Sequence, residues 1–220
     1  MIAFHFHNRL WRRIFSVFNR FEKIRVLDVG CGNHSVTVIK RMFPNCVYTG
    51  IDITNVGYDD NDLRLMDKFV LLSKEDFAGQ ISKIEEEYDL VLLFHILEHT
   101  KNYEDIVRAA AQKVAADGMI AVAYPSLSSI NNPRSFLGVN FHDDASHIRI
   151  VHDISVVNLL LDNGFKIRYV GNNSDPLRDL YGLLRLGLFA CRRLFKSTRK
   201  AVGLWSLYRF ERIILAVRQK

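Results

Sequence analysis

Residues Val26-Leu27-Asp28-Val29-Gly30-Cys31-Gly32 set two glycines at the end of a short aliphatic run, just ahead of a helix-forming stretch from Ser35 to Phe43. Glycines at such a junction let the backbone turn tightly and approach a ligand closely, while the following helix presents unpaired N–H groups. The chemistry implied is the binding of a nucleotide-like ligand. Asp52 ends the next apolar run about 20 residues further on, where a carboxylate accepts hydrogen bonds from ribose hydroxyls. A dinucleotide fingerprint would carry a third glycine, but that spacing falls on Ser35. Asp28, beside the turn, would repel a pyrophosphate and suit a cationic ligand.

His95-Ile96-Leu97-Glu98-His99 matches the H-x-x-E-H pattern of inverted zinc peptidases. Such a site needs both histidines on one helical face and a further distant carboxylate. Here the motif directly follows an apolar run with strand character, which puts His95 in a turn, so no metal is expected. Glu98 and His99 read as helix-start and packing residues. His142, His147 and His152 lie close to Asp143, Asp144 and Asp153. They read as hydrogen-bonded structural residues, with His152 or Asp153 capping a helix.

Alternating strands and helices must position these residues. Apolar runs at Arg25 to Val29, Cys46 to Ile53, Phe69 to Ser73, Tyr88 to Phe94 and Met119 to Tyr124 alternate with helical patterns, clearest from Tyr103 to Ala115. A helix from Asp153 to Asn163, stopped by Gly164, precedes a strand from Phe165 to Val170, and Arg212 to Val217 reads as a last strand. The pattern predicts a doubly wound, mostly parallel α/β sheet with its site beyond the carboxyl ends of the strands.

The chain has 220 residues, 49% of them hydrophobic and 25% charged, enough for one sizeable core. Three scattered cysteines argue against a disulfide framework and for a reducing compartment. No uncharged apolar stretch of about 18 residues occurs, and the N-terminus lacks a signal-peptide h-region, so a cytoplasmic protein is expected. The net charge of +6 is uneven: residues 1–25 carry 6 Lys/Arg against 1 acidic residue, residues 26–175 carry 13 against 21, and residues 176–220 carry 11 against 2. Residues 1–25 read as an N-terminal amphipathic helix over Arg9 to Phe21, with Leu10, Ile14, Val17, Phe18 and Phe21 on its apolar side. Residues 26–220 form the main domain, including a basic helical insertion at about 176–208. The basic helices pack on the domain or attach it peripherally to an anionic membrane surface. They flank an acidic centre and carry no nucleic-acid module, which argues against nucleic acid as a partner.

In this order, Val26-Leu27-Asp28-Val29-Gly30-Cys31-Gly32, Tyr48-Thr49-Gly50-Ile51-Asp52-Ile53, Tyr88-Asp89-Leu90-Val91, His95-Ile96-Leu97-Glu98-His99, Asp117-Gly118-Met119-Ile120 and His147 to Phe165 resemble the class I S-adenosylmethionine-dependent methyltransferases. The resemblance implies a Rossmann-like sheet of seven strands, the last antiparallel, and S-adenosylmethionine as cofactor with S-adenosylhomocysteine as product. It also implies that Gly30 and Gly32 border the methionine part, that Asp28 helps orient its amino group, that Asp52 holds the ribose, and that Cys31 and Ile53 belong to the cofactor-binding residues. Glu75 or Asp76 would meet the adenine amino group, and His95 would line the junction of cofactor and acceptor.

Methyl transfer from a sulfonium is an in-line displacement, and a hydroxyl acceptor is helped by a base, here His95 first and then His147. No Asn/Asp-Pro-Pro-Tyr follows the fourth strand, as many adenine-amino methyltransferases would require, because Phe94-His95-Ile96-Leu97 stands there. The expected acceptor is therefore a small molecule, a glycan or a lipid-linked compound methylated at oxygen. A non-catalytic scaffold or membrane-surface binder is the alternative, a zinc peptidase through His95, Glu98 and His99 a more remote one. A homodimer is kept as an alternative assembly.

Overall fold

The strand Arg25–Val29 (β1) buries every residue after the first, the mark of a strand covered by helices on both faces. The computed structural model describes residues 9–56, 58–134, 138–191 and 204–219. Among them β1 is joined by Val47–Asp52 (β2), Lys68–Leu71 (β3), Tyr88–Phe94 (β4), Val114–Pro125 (β5), Phe165–Asn172 (β6) and Glu211–Arg218 (β7). The order across the sheet is β3-β2-β1-β4-β5-β7-β6. Strands β1 to β5 pair in parallel, and β7 runs antiparallel between β5 and β6. This is the Rossmann-like sheet the sequence predicts, its antiparallel strand included. The strand order reverses between β1 and β4, and the crevice at such a reversal is where ligands bind.

Two apolar layers cover the sheet. One contains Ile81, Tyr103, Val107, Ile120, Leu160 and Ile214, and the other Leu10, Ile14, Ile39, Phe43, Leu90 and Leu215. Each fully buried aliphatic or aromatic side chain contributes about 1.5–3 kcal/mol relative to exposure. Leu10 and Ile14 come from the helix Arg9–Ile14 (α1), so the N-terminal segment is part of the second layer. The periodicity predicts this helix to Phe21, but it stops at Ile14. The Ser16 hydroxyl donates to the Arg13 carbonyl, and the Asn19 side chain accepts from the Phe21 N–H, local bonds that compete with a continuing helix. Val17 and Phe21 consequently lie exposed, and Trp11 enters the core edge-on to Phe94, with ring centroids 6.3 Å apart.

The expected insertion begins with the helix Pro176–Cys191 (α2) and ends with the short helix Leu204–Leu207 (α3). Residues 192–203, which hold much of its expected basic charge, lie outside the described residues. Helix α1 is tied to the start of α2 by Arg12, whose Nη2 lies 2.9 Å from Asp175 Oδ2. The Arg13 guanidinium sits 3.7 Å over the Tyr169 ring. Among the described residues no helix is long and apolar enough to cross a membrane.

Candidate active site

A cavity of about 1220 Å³ opens beyond the carboxyl ends of β1, β2 and β4, and its walls include Gly30, Asp52, Ile53, Glu75, Asp76 and His95. The fold therefore brings together six of the residues singled out in the sequence. Its volume exceeds the roughly 300–1,000 Å³ of a usual small-molecule pocket, which leaves room for two molecules side by side. Lys101, Asn102 and Ser146 also line it.

The turn after β1 is shaped by left-handed backbone. Gly30 has φ +69° and Gly32 φ +55°. A Cβ on Gly30 would come within 2.4 Å of Ile96 Cδ1, whereas one on Gly32 would stand in open space. His34 is also left-handed, at φ +69°, where glycine would be the ordinary choice. Its N–H donates to the wholly buried Asp62 at 2.5 Å.

Asp52 couples this turn to the end of β2. Its Oδ2 accepts from the Gly32 N–H at 3.0 Å and from the Tyr58 hydroxyl at 2.9 Å, and Oδ1 accepts from the Ile53 N–H at 2.6 Å. Glu75 takes the Ser73 hydroxyl, which holds its carboxyl below the usual range.

Four expected site residues, Asp28, Cys31, Gly32 and His147, are not in the cavity wall. Asp28 does not stand in the cavity wall: it is buried, its Oδ2 accepting from the Ser35 hydroxyl and from the Tyr48 hydroxyl at 2.7 Å. Burial pushes its carboxyl up to about 6, although both hydroxyls pull it down. Cys31 is likewise withdrawn from the wall, with Sγ 3.2 Å from the Tyr58 hydroxyl, and burial pushes its thiol up to about 12. Tyr48 and Tyr58, the partners of these two, were missed because an aromatic in or just after a strand reads as core; only the alternation that turns Tyr48 inward beside Asp28 hinted at it.

His95 stands in the wall but is no proton acceptor. Its Nε2 meets Glu211 Oε1 at 2.7 Å and its Nδ1 meets Glu98 Oε1 at 3.1 Å. Burial lowers its pKa, but the two carboxylates outweigh that and raise it to about 10, so the ring is a cation at neutral pH. Both of its nitrogens are then donors already in use. His147 also falls outside the wall, though its neighbours Ser146 and Ile148 belong to it. Its Nδ1 bonds the Phe141 carbonyl at 2.7 Å, and its Nε2 lies 3.9 Å from both Glu98 and Asp144. Nor does His152 cap the helix Asp153–Asp162 (α4) through its side chain.

A family model described as Methyltransferase domain matches residues 3–170. The chain is 32% identical over 123 residues to the ubiquinone biosynthesis O-methyltransferase of Hydrogenovibrio crunogenus, covering 54% of this chain and 49% of that protein. It is 28% identical over 102 residues to pavine N-methyltransferase of Thalictrum flavum subsp. glaucum, covering 45% of this chain and 28% of the relative. The chain thus spans half or less of the length of these curated relatives. Among solved structures, geranyl diphosphate C-methyltransferase from Streptomyces coelicolor A3(2) superposes with a TM-score of 0.62 at 12% identity, covering 94% of this chain and 78% of that one. A SAM-dependent methyltransferase from Archaeoglobus fulgidus superposes with a TM-score of 0.58 at 18% identity, covering 94% and 90%.

Proposed function

The chain belongs to the class I S-adenosylmethionine-dependent methyltransferases by its match to their methyltransferase domain, and from that premise we propose that it methylates an oxygen of a small-molecule acceptor. One observation carries the reading: the glycine turn after β1, the Asp52 carboxylate and the turn at His95 and Ile96 meet in a single cavity at the point where the strand order reverses.

The residues present fit the cofactor. Gly30 lies in the cavity wall, and Gly32, two residues on, leaves open space where a side chain would stand. Asp52 Oδ1 accepts from the Ile53 N–H at 2.6 Å and only at 3.4 Å from the Thr54 N–H, a long bond that a ribose hydroxyl can replace. Asp52, Glu75 and Asp76 give the wall an acidic character that favours a cationic ligand over a pyrophosphate. When bound, S-adenosylmethionine would supply an electrophilic methyl to the acceptor oxygen, the carbon–sulfur electron pair staying on sulfur and the acceptor's proton passing to solvent.

The chain's own work is alignment and exclusion of water. The His95 cation, fixed between Glu98 and Glu211, holds the floor of the junction in place and takes no proton. The ubiquinone-pathway relative supports an oxygen acceptor, and the alkaloid relatives make amines the outcome to be separated from it. Calorimetric titration with S-adenosylhomocysteine, followed by product formation with catechols, phenols and secondary amines, tests the reading. No binding of S-adenosylhomocysteine would sink it, and turnover of amines alone would sink the choice of oxygen.

A lipid-linked acceptor, met by a cytoplasmic enzyme at an anionic membrane, is a second reading. It is favoured by Leu177, Leu180, Leu183 and Leu184 of α2, all more than half exposed, with the half-exposed Trp205 of α3. Flotation with phosphatidylserine vesicles at low and high salt tests it, and failure to float at low salt rejects it.

A further inference from the structure

The 3₁₀ turn Leu97–His99 carries Glu98 wholly inside the protein. Its Oε1 meets His95 Nδ1 at 3.1 Å and faces His147 Nε2 at 3.9 Å, while its Oε2 is buried and, among the described residues, has no hydrogen-bond partner. A buried carboxylate oxygen left bare costs about 1–3 kcal/mol or more, and each such atom in a native structure calls for an explanation such as an ion. The segment after Asp144 is clamped onto the same turn, because the N–H groups of Ile148 and Arg149 both donate to the Glu98 carbonyl, at 2.9 and 3.2 Å. That clamp brings the His147 and His99 rings to 4.9 Å, centroid to centroid, beside Glu98.

The partners of the two rings dictate their tautomers. The Phe141 carbonyl can only accept, so His147 Nδ1 donates to it and the lone pair of the neutral ring lies on Nε2. His99 Nδ1 faces the Ser146 carbonyl at 3.2 Å and the Ser146 hydroxyl at 3.1 Å, and since that hydroxyl gives its proton to Asp144 both oxygens accept, which leaves the His99 lone pair on Nε2. An imidazole anchored through N–H to a backbone carbonyl is oriented to ligate through its other nitrogen. One ligand atom each from Glu98, His99 and His147 lie within 4.8 Å of one another. Ligands about 2.0–2.1 Å from a tetrahedral zinc stand about 3.4 Å apart, so closing the set takes shifts of about an ångström.

We propose that Glu98, His99 and His147 bind one divalent transition-metal ion, Zn²⁺ first, at the edge of the cavity. Two imidazoles with one carboxylate suit Zn²⁺ or Co²⁺, not Mg²⁺ or Ca²⁺, which take oxygen ligands. This is not the inverted-peptidase arrangement, since both nitrogens of His95 are held by Glu98 and Glu211. Three protein ligands leave a fourth position open, and His99 itself stands in the cavity wall. Resting on the methyl-transfer reading, the role of that position is to take the acceptor hydroxyl and acidify it, a role His95 does not fill because both its ring nitrogens are engaged by Glu98 and Glu211. The other group of suitable composition, His34, Asp59 and Asp62, serves as a control: there the buried Asp62 already accepts from the His34 N–H and the Thr37 hydroxyl.

The test uses full-length protein stripped with EDTA, titrated with Co²⁺ by visible absorption and with Zn²⁺ by calorimetry. One ion per chain is expected, bound at least about tenfold more weakly in Glu98→Gln, His99→Gln and His147→Gln, and unchanged in His34→Gln. His99 is only half-buried, so His99→Gln keeps the test valid where Glu98→Gln fails to fold. Absence of stoichiometric binding, or wild-type affinity in both His99→Gln and His147→Gln, overturns the proposal. Titration of the same stripped protein with S-adenosylhomocysteine separates the two readings: binding of it without binding of either metal overturns the metal site alone, whereas metal bound through these residues without it upholds the site and removes only the methyl-transfer role.

Discussion

His95 and Glu211 lie 116 residues apart in the chain, yet Nε2 of the one meets Oε1 of the other at 2.7 Å, fastening the turn after β4 to the start of β7. Burial would raise the Glu211 carboxyl, but the His95 imidazolium outweighs it and holds it below the usual range. The pair joins the cavity wall to the last strand of the sheet, so site and sheet stand or fall together.

The charge on His95 sets a pH dependence. Its folded pKa of about 10 lies above the ordinary value of 6.5, so the folded state holds the proton more tightly than the unfolded chain. The stabilisation is fully present below pH 6.5 and is lost as pH rises through about 10. Urea denaturation of metal-free protein from pH 6 to 10.5 should show stability falling across this window, and the fall should flatten in His95→Gln. An identical slope in the two proteins would show that the ring is not charged when folded.

Asp28 predicts a second window, at lower pH. Its carboxyl rises from 3.8 to about 6 on folding, so stability is greatest below the unfolded value and declines as pH rises through about 6. The shift corresponds to a loss on the order of 3 kcal/mol. Relative to Asp28→Asn, the wild type should lose that much between pH 4 and 6, read as the difference between their denaturation midpoints. A constant difference across the range would mean that Asp28 is not desolvated.

The glycine turn separates binding from folding. Gly30→Val drives a Cβ into Ile96 and should destabilise the fold itself. At Gly32 a side chain meets no protein atom, so Gly32→Val bears only the strain of a left-handed residue, about 1–2 kcal/mol, while it fills the open space beside the cavity residue Gly30. Gly32→Val should therefore stay folded and lose S-adenosylhomocysteine affinity at least tenfold. Unchanged affinity would remove the turn from the cofactor site.

What the sequence makes legible is local. The strand-to-turn glycines, Asp52 at a strand end and Glu75 and Asp76 after β3 are found because turn chemistry and strand ends are written in neighbouring residues. The His95–Glu211 pair is not, since nothing in a pattern shows that residue 211 returns beside residue 95. A histidine reads as a base until its carboxylate partners are known. Asp28 is misplaced for the same reason: its partner Tyr48 comes into reach only through the pairing of β1 with β2, with Asp28 opposite Gly50. At the N-terminus, the apolar period continues beyond Ile14, but local bonds from Ser16 and Asn19 end the helix.

The last strand offers the most severe test of how the sheet is built. Although it comes last of the seven in sequence, β7 is an interior strand, with Met119 to Pro125 of β5 on one side and Phe165 to Asn172 of β6 on the other. Ile213, Ile214, Leu215 and Ala216 are all buried, and they feed both apolar layers. Burying each of the three larger side chains is worth about 1.5–3 kcal/mol, and a domain's total stability is about 5–15 kcal/mol. Truncation after Phe210 also strips Glu211 from His95 and bares the facing edges of two strands. We expect that variant to show no cooperative thermal transition by circular dichroism. Ile214→Asp in the full chain places an unpaired charge in the apolar layer on one face of the sheet and should do the same without removing any backbone. A cooperative melt within a few degrees of wild type for either variant would mean that β7 is a dispensable addition to a self-sufficient sheet.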